Sequence, residues 1–193
     1  MRSSATVLAM AVLGIGSLSI TRDARALGPV DLEVAGKVGV GTNPFSDLPN
    51  PLGFGLGARA GVSLLGLYGG LSLMYYVGSG QDNVANAGGH VSVNSLLYGI
   101  EAGYGAKLFG LITLRGQLGL GNYQLNESGA TGNQNPTNLY LEPGLTALLS
   151  IGIVIVGVDA NILILPGVSD PLPPGGSTWD AAFTLHAQGG VKF

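Results

Sequence analysis

The sequence predicts an all-β protein, an eight-stranded antiparallel up-and-down transmembrane β-barrel. Eight segments alternate apolar and polar residues, which is the two-residue period of a β-strand. Long and short connections between these segments alternate along the chain. Within the segments, every charged residue falls on the less apolar side of its strand. This distribution is typical of a barrel whose outer face contacts lipid and whose lumen is polar.

The start of the chain has the organisation of a secretory signal peptide. A positively charged start precedes an uncharged apolar run over residues 5–20. Ala24 and Ala26 then supply the two small residues of an A-x-A cleavage site. The apolar run is too short to span a membrane comfortably. We therefore expect residues 1–26 to be removed after export, which leaves residues 27–193 as one barrel domain.

Four alternating segments fill the first half of the remaining chain. In the second segment, Leu56 and Ala58 alternate with Gly57 and Arg59, so one side is apolar and the other carries small or charged groups. A helix would instead group its apolar residues three and four positions apart. The four segments comprise residues 30–41, 53–64, 67–77 and 96–108.

The second half of the chain contains four more alternating segments. The third of these is apolar on both sides for part of its length, so its phase is the least clearly defined. The fourth ends on an aromatic residue, Phe193, which has the same parity as the apolar residues Val191 and Leu185. The four segments comprise residues 111–123, 139–150, 151–165 and 181–193.

The connections support a barrel with two different ends. Three links are short and lie near Leu65-Gly66, Phe109-Gly110 and Ser150-Ile151. Alternation of long and short links is expected when one end of a barrel faces the cell exterior and the other the periplasm, with both termini at the short-turn end. The four long connections are rich in Gly, Asn, Asp, Ser and Pro and comprise residues 42–52, 79–91, 124–138 and 166–180.

Composition excludes several classes of function. After removal of residues 1–26 the chain carries five Lys and Arg against ten Asp and Glu, a net charge of −5, which argues against a nucleic-acid partner. The absence of cysteine excludes disulfides and thiolate metal sites. Gly53–Ala58 superficially resembles a dinucleotide-binding turn, but no strand–helix–strand context follows, so inward-facing strand glycines are the better interpretation. We expect no cofactor.

Two other architectures fit the pattern less well. A soluble sandwich or lipocalin-like barrel also alternates, but it would turn a glycine-rich side with few charges toward water. Helical spans over residues 53–78, 96–120 and 139–165 would bury several charges and would place Pro143 inside a helix. The transmembrane barrel avoids both problems.

The chain resembles the small eight-stranded outer-membrane barrels of the OmpA and OmpX type. The resemblance covers residues 30–193 and rests on the signal, the eight alternating segments, the rhythm of the connections and the terminal Phe193. It implies integral insertion in outer-membrane lipid. It also implies that the outer-membrane assembly machinery reads the last strand, through the residues that match the family's terminal pattern: Leu185, Ala187, Gly189, Val191 and Phe193.

The inward parity of the charged residues predicts a network inside the barrel. An eight-stranded barrel is just wide enough for its side chains to fill, and buried charges need partners. We therefore predict an internal salt-bridge network that plugs the lumen. A narrow pore or a transporter of a small apolar solute is the alternative. The predicted network consists of Glu33, Lys37, Arg59, Glu101, Lys107, Arg115, Glu142, Asp159 and His186.

Two histidines are candidates for a metal-binding or a catalytic role. His186 is expected to be a hydrogen-bonded interior group, since no second inward histidine could join it in holding a metal. His90 and Ser92 are two apart, as in outer-membrane lipid A deacylases, but the nearest strand acid, Glu101, has the opposite parity and cannot readily orient His90. A lipid-modifying enzyme is thus the remote alternative, and we predict neither catalytic nor metal-binding residues.

The predicted function is that of a non-enzymatic integral barrel of the outer membrane. Four surface loops would carry a structural or surface-interaction role, because binding specificity usually lies in loops. The sequence does not name a loop partner. The long connections contain no Lys or Arg, which argues against a receptor for polyanions. The acidic residues within these connections or at their edges are Asp47, Asp82, Glu127, Asp170 and Asp180.

Overall fold

The computed structural model describes the strands and short turns of the chain. The predicted signal peptide, with Ala24 and Ala26, lies outside the described residues, as do most of the long connections with Asp47 and Asp170. Removal of residues 1–26 therefore stays a prediction. The described residues are 30–42, 50–78, 81–83, 89–128, 137–166 and 179–193.

Eight long antiparallel strands close into a barrel, which confirms the predicted fold class. Each long strand pairs with the next long strand in sequence, so that β3 pairs with β5, and the barrel closes where the last strand pairs with the first. A ninth, three-residue strand, β4, pairs only with the outer part of β5. The strands are β1 Val30–Thr42, β2 Phe54–Leu64, β3 Leu67–Val77, β4 Gln81–Asn83, β5 Gly89–Leu108, β6 Ile112–Ser128, β7 Thr137–Ile151, β8 Val154–Pro166 and β9 Trp179–Lys192.

The apolar and polar sides of the strands lie as the alternation predicts. On β2, Leu56 is exposed on the outer face while Arg59 is buried inside. On β8, whose phase was unclear, Val156 and Val158 are exposed, whereas Ile155 and Leu163 are buried in the lumen. These two inward-facing apolar residues are the reason why both sides of the strand are apolar in sequence. In the described ranges, no helix is long and apolar enough to cross a bilayer.

Two of the short turns are where the sequence predicts them. Leu65 and Gly66 have φ of 52° and 89°, and Phe109 and Gly110 have φ of 51° and 72°. Two consecutive positive φ angles are the pattern of the type I′ turn, whose twist matches that of the flanking strands. The type I′ geometry therefore joins β2 to β3 and β5 to β6.

The third short turn is displaced from its predicted position. β7 continues through Ile151, and the turn is formed by Gly152 and Ile153 instead of Ser150-Ile151. Gly152 has a φ of 62°, the conformation that the first central position of a type II′ turn requires and that glycine adopts without steric cost. The prediction was wrong by two residues because it gave too little weight to this glycine.

The hairpin of β5 and β6 is longer than predicted. The sequence assigned residues 79–91 and 124–138 to connections, yet β5 begins at Gly89 and its pairing with β6 extends to Ser92 opposite Ser128. The inward positions Val93 and Leu97 are buried here, so the alternation continues past the predicted ends of the strands. This stretch also contains polar residues, so the sequence pattern alone did not indicate that the strands continue.

The barrel closes along the pair of β1 and β9. Lys37 lies opposite Gln188, and the pairing continues to Glu33 opposite Lys192. Beyond it, the Leu32 amide donates to the Phe193 carbonyl at 2.9 Å, and the Phe193 amide donates to the Leu32 carbonyl at 3.0 Å. Phe193 is thus part of the hydrogen-bonded wall at the short-turn end.

We expect Leu118→Arg to prevent folding in lipid far more than Leu111→Arg. Leu118 is exposed near the middle of the apolar outer face of β6, where a charge costs about 2–4 kcal/mol in a bilayer. Leu111 lies in the short link before β6, where the same charge costs about 0–1 kcal/mol. The measurement is the folded fraction in liposomes, read from the mobility of unheated samples on gels. Equal folded fractions would contradict the assignment of the outer face.

Candidate functional site in the barrel interior

The first group of charged side chains lies toward the short-turn end of the lumen and is called the arginine cluster. The Glu33 carboxylate accepts hydrogen bonds from Arg115 at 2.7 and 3.1 Å and from Arg59 at 3.0 Å. Ser63 donates to the same carboxylate at 2.7 Å. All three charged side chains are at most 4% exposed. One carboxylate therefore holds two guanidinium groups.

Tyr68 completes the arginine cluster. Its ring centroid lies 4.0 Å from the Arg115 guanidinium carbon and 5.2 Å from that of Arg59, which are cation–π distances. Glycine makes room for the ring. A Cβ at Gly61 or Gly70 would lie only 2.6 or 2.4 Å from the Tyr68 hydroxyl oxygen. The inward glycines noted in the sequence thus include two that a bulky neighbour requires.

The second group, the lysine cluster, consists of Lys37, Glu101, Asp159 and His186. Lys37 Nζ lies 3.2 Å from Asp159 Oδ2 and 3.9 Å from Glu101 Oε1. His186 Nδ1 is hydrogen-bonded to Asp159 Oδ1, and its Nε2 lies 2.5 Å from the Tyr76 hydroxyl. The side chains of this group come from four different strands, β1, β5, β8 and β9.

Glu142 lies among neutral polar groups. Thr184 donates to Glu142 Oε1 at 3.2 Å and Asn161 donates to the same oxygen at 3.3 Å. Next to this group, Gln117 donates to Asn161 at 3.2 Å and accepts from Thr146 at 2.5 Å. The polar interior therefore continues as a hydrogen-bonded chain from β6 through β7 and β8 to β9.

Lys107 departs from the predicted network. It has the inward parity of its strand, but its side chain is exposed at the short-turn end of the barrel. Its place in the strand explains this: Lys107 is the penultimate residue of β5, level with Thr113 at the start of β6. The predicted set therefore divides into two buried clusters, the separate Glu142, and one base at the barrel end.

An apolar layer lies in the lumen above the charged groups, toward the long connections. Leu52, from the connection between β1 and β2, is 1% exposed and inserts into this layer. The Gly41 amide donates to the Leu52 carbonyl at 2.6 Å, and Ser95 donates to the Pro51 carbonyl at 2.8 Å, so the segment is fixed to the wall. The layer consists of Leu52, Met74, Tyr76, Leu97, Tyr123, Tyr140, Leu163, Leu165 and Ala182.

The arrangement has the chemistry of a packed, cross-linked interior. Within the described part of the chain, no group of three His, Asp or Glu side chains is arranged to hold a metal ion. The backbones of His90 and Ser92 belong to β5, but their side chains lie outside the described residues. Sequence reasoning missed Tyr68, Tyr76 and Leu52. The parity of the tyrosines could have placed the first two, whereas Leu52 follows no periodic pattern.

Comparison with solved structures shows the same architecture in outer-membrane proteins. Neisserial surface protein A (NspA) is 10% identical with a TM-score of 0.59, over 85% of this chain and 96% of that chain. A major outer membrane protein from Thermus thermophilus is 12% identical with a TM-score of 0.51, over 85% and 99%. This chain has the fold of the small outer-membrane barrels. No protein-family model and no curated protein sequence matches it.

A third similar structure was solved with a ligand. Ail, the attachment invasion locus protein of Yersinia pestis, was crystallised with the heparin analogue sucrose octasulfate. It is 11% identical with a TM-score of 0.50, and the match covers 85% of this chain and 97% of that chain. At these identities the likeness concerns the fold alone.

We expect Glu33→Gln to lower the free energy of unfolding by about 3–5 kcal/mol, because it leaves two buried guanidinium groups without their carboxylate. Asp31→Asn is the matched control. Asp31 pairs with Lys192 at 3.1 Å, but 34% of its side chain is exposed, so this change should cost only about 0–1 kcal/mol. Unfolding by denaturant in lipid vesicles measures both. Similar losses would show that the Glu33 pairs contribute no more than a surface ion pair.

Proposed function

We propose that this chain is an integral outer-membrane protein that is not an enzyme and whose barrel presents the long connections at the cell surface. The observation that carries the proposal is the continuous apolar outer face around a charged interior. Large hydrophobic side chains are exposed on all eight barrel strands. Soluble monomers rarely expose contiguous apolar patches of more than a few hundred Å², so this surface suits lipid.

Aromatic residues at both ends of the apolar face support insertion in a bilayer. Phe54 and Phe183 are exposed near the ends of β2 and β9 that adjoin long connections. Tyr104 and Phe109 are exposed near the short turn between β5 and β6. Membrane barrels carry such aromatic girdles at both interfaces. By the usual orientation of these barrels, the short turns would lie in the periplasm.

The proposed barrel is closed to solutes. Two charged clusters and the apolar layer lie one after another between the short-turn end and the long connections. Arg115 on β6 reaches across the lumen to Glu33 on β1, which lies opposite it among the eight strands. Leu52 and its neighbours close the other end. A conducting pore or a route for an apolar solute would require these side chains to separate.

The surface role would lie in the long connections. The heparin analogue bound by Ail is not proposed as a ligand here, because the long connections of this chain contain no Lys or Arg. Polyanion binding needs an excess of positive charge. A structural role or binding of a partner without strong negative charge fits these connections better.

We expect the purified, folded protein to show no discrete conductance steps in planar bilayers at molar salt. In the proposed closed barrel, the side chains of the arginine and lysine clusters would block a continuous aqueous path. A wide general porin in the same membranes is the positive control. Conductance steps that appear with the natural protein and change in size with Glu101→Lys would contradict the closed lumen. Only a conducting path through this barrel would respond to that substitution.

The terminal strand is proposed to be the segment that the outer-membrane assembly machinery recognises. Leu185 and Phe183 are exposed on the outer face, and Val191 and Phe193 are partly exposed at the short-turn end. Ala187 and Gly189 lie between them with the same parity and are also exposed. An apolar stripe that ends in an aromatic residue is thus presented along one side of β9.

We expect Phe193→Asp to reduce insertion in cells strongly, and Phe109→Asp to reduce it little. Both rings lie at the short-turn end, so each substitution forfeits similar burial at the membrane interface, of order 1.5–3 kcal/mol at most. Only Phe193 directly follows the terminal strand. Protease sensitivity of surface loops on whole cells measures insertion, and refolding into liposomes measures the energetic effect alone. Equal defects in cells would argue against recognition through Phe193.

A further inference from the structure

The short-turn end of the barrel opens into a cavity of about 520 Å³, called the vestibule. Its floor is the arginine cluster, because Glu33 and Arg115 line it from within the lumen. Lys107 and Lys192 stand at its rim, and Thr113 contributes a hydroxyl to its wall. The vestibule thus combines a buried floor with an exposed, basic rim.

The charges around the vestibule do not balance. Four basic side chains surround it or lie directly behind its floor, against two acidic ones. Each acid is already paired: Asp31 with Lys192 at 3.1 Å, and Glu33 with both arginines. Lys107 adds a further positive charge at the rim. The four bases are Arg59, Lys107, Arg115 and Lys192.

Buried donors behind the floor add a second observation. Arg115 Nε, together with Nε and Nη1 of Arg59, has no hydrogen-bond partner among the described residues, although both side chains are nearly completely buried. Buried polar groups are almost always paired, and charged ones cost the most when they are not. The arginine cluster behind the vestibule therefore has an excess positive charge, and its unpaired N–H groups lie behind the accessible surface of the floor.

We propose that the vestibule is a binding site for an oxyanion, the phosphate or carboxylate group of a small solute or of a lipid headgroup. Lysine and arginine next to hydroxyl groups form the donor set that phosphates and carboxylates prefer. Lys107 is the residue that attracts the anion at the rim, and Arg115 is the residue that faces it from the floor. A cation is disfavoured, because both carboxylates already accept from basic groups.

The oxyanion site is independent of the closed lumen proposed above. If the short turns face the periplasm, as the proposed function has it, the oxyanion comes from that side; only this point rests on the proposed function. Binding to protein in detergent requires no membrane orientation. A failure of binding would leave the proposed function standing, and a conducting barrel could still bind an anion at this end.

The test uses the folded full-length barrel domain in a non-ionic maltoside detergent, titrated with inorganic phosphate at constant ionic strength. Amide chemical shifts should change saturably at Gly66, Gly105 and Thr113, which lie around the vestibule. Lys107→Gln should weaken binding about tenfold, the effect of losing one hydrogen bond to a charged group. Asp31→Asn should tighten binding severalfold, because it frees the charge of Lys192.

Both substitutions are at the exposed rim, so unheated gel mobility should remain that of the folded natural protein. Phosphate shifts that do not saturate, or that are the same in Lys107→Gln as in the natural protein, would overturn the proposal. Asp31→Asn is expected to raise the phosphate affinity, which is the opposite effect, so it controls for a general loss of folding. Tightening there together with weakening in Lys107→Gln cannot come from instability.

A second titration distinguishes the source of the oxyanion. The protein is placed in nanodiscs of zwitterionic lipid or of the same lipid mixed with phosphatidylglycerol. A lower apparent phosphate affinity in the anionic discs would show that headgroups occupy the vestibule. Equal affinities would indicate a soluble solute. Saturable binding in either disc supports the site, and its absence from both discs and from detergent counts against it.

Discussion

The structure depends on one constraint: its buried charged side chains share a single narrow space. Strand alternation turns them inward, and an eight-stranded barrel holds little more than its own side chains. A charge there is expensive unless it is paired. Glu33 meets this requirement by reaching from β1 to Arg115 on β6, four strands away around the wall. The same pairs that neutralise charge therefore brace opposite sides of the barrel.

The two charged clusters complement one another along the lumen. The arginine cluster contains two bases and one acid, whereas the lysine cluster contains one base, Lys37, with two acids and His186. Their excess charges have opposite sign if the histidine is set aside, so each cluster attracts the other. Within the arginine cluster, glycines such as Gly61 leave the space that Tyr68 occupies beside the two guanidinium groups. Residue size and charge are thus matched within the arginine cluster.

Most of the fold could be predicted because a single signal, the parity of apolar residues, controls it. Parity placed Arg59, Arg115 and Asp159 inside from sequence alone. It could not show how far along the axis a residue lies, which is why Lys107 was expected in the network and is found at the rim. It also carries no information about non-periodic segments. Leu52 reaches the lumen through hydrogen bonds of its connection to the wall, and those become visible only in three dimensions.

The pairing of β1 with β9 affects how the barrel folds. Every other barrel pair joins consecutive long strands, but this seam joins strands separated by about the length of the domain. Such long-range pairing is slow to form, since chain entropy must be lost before any contact is gained. Until the last strand arrives, β1 retains an unpaired edge that invites aggregation. Closure of the β1–β9 seam is therefore the step that removes the last open edge of the sheet.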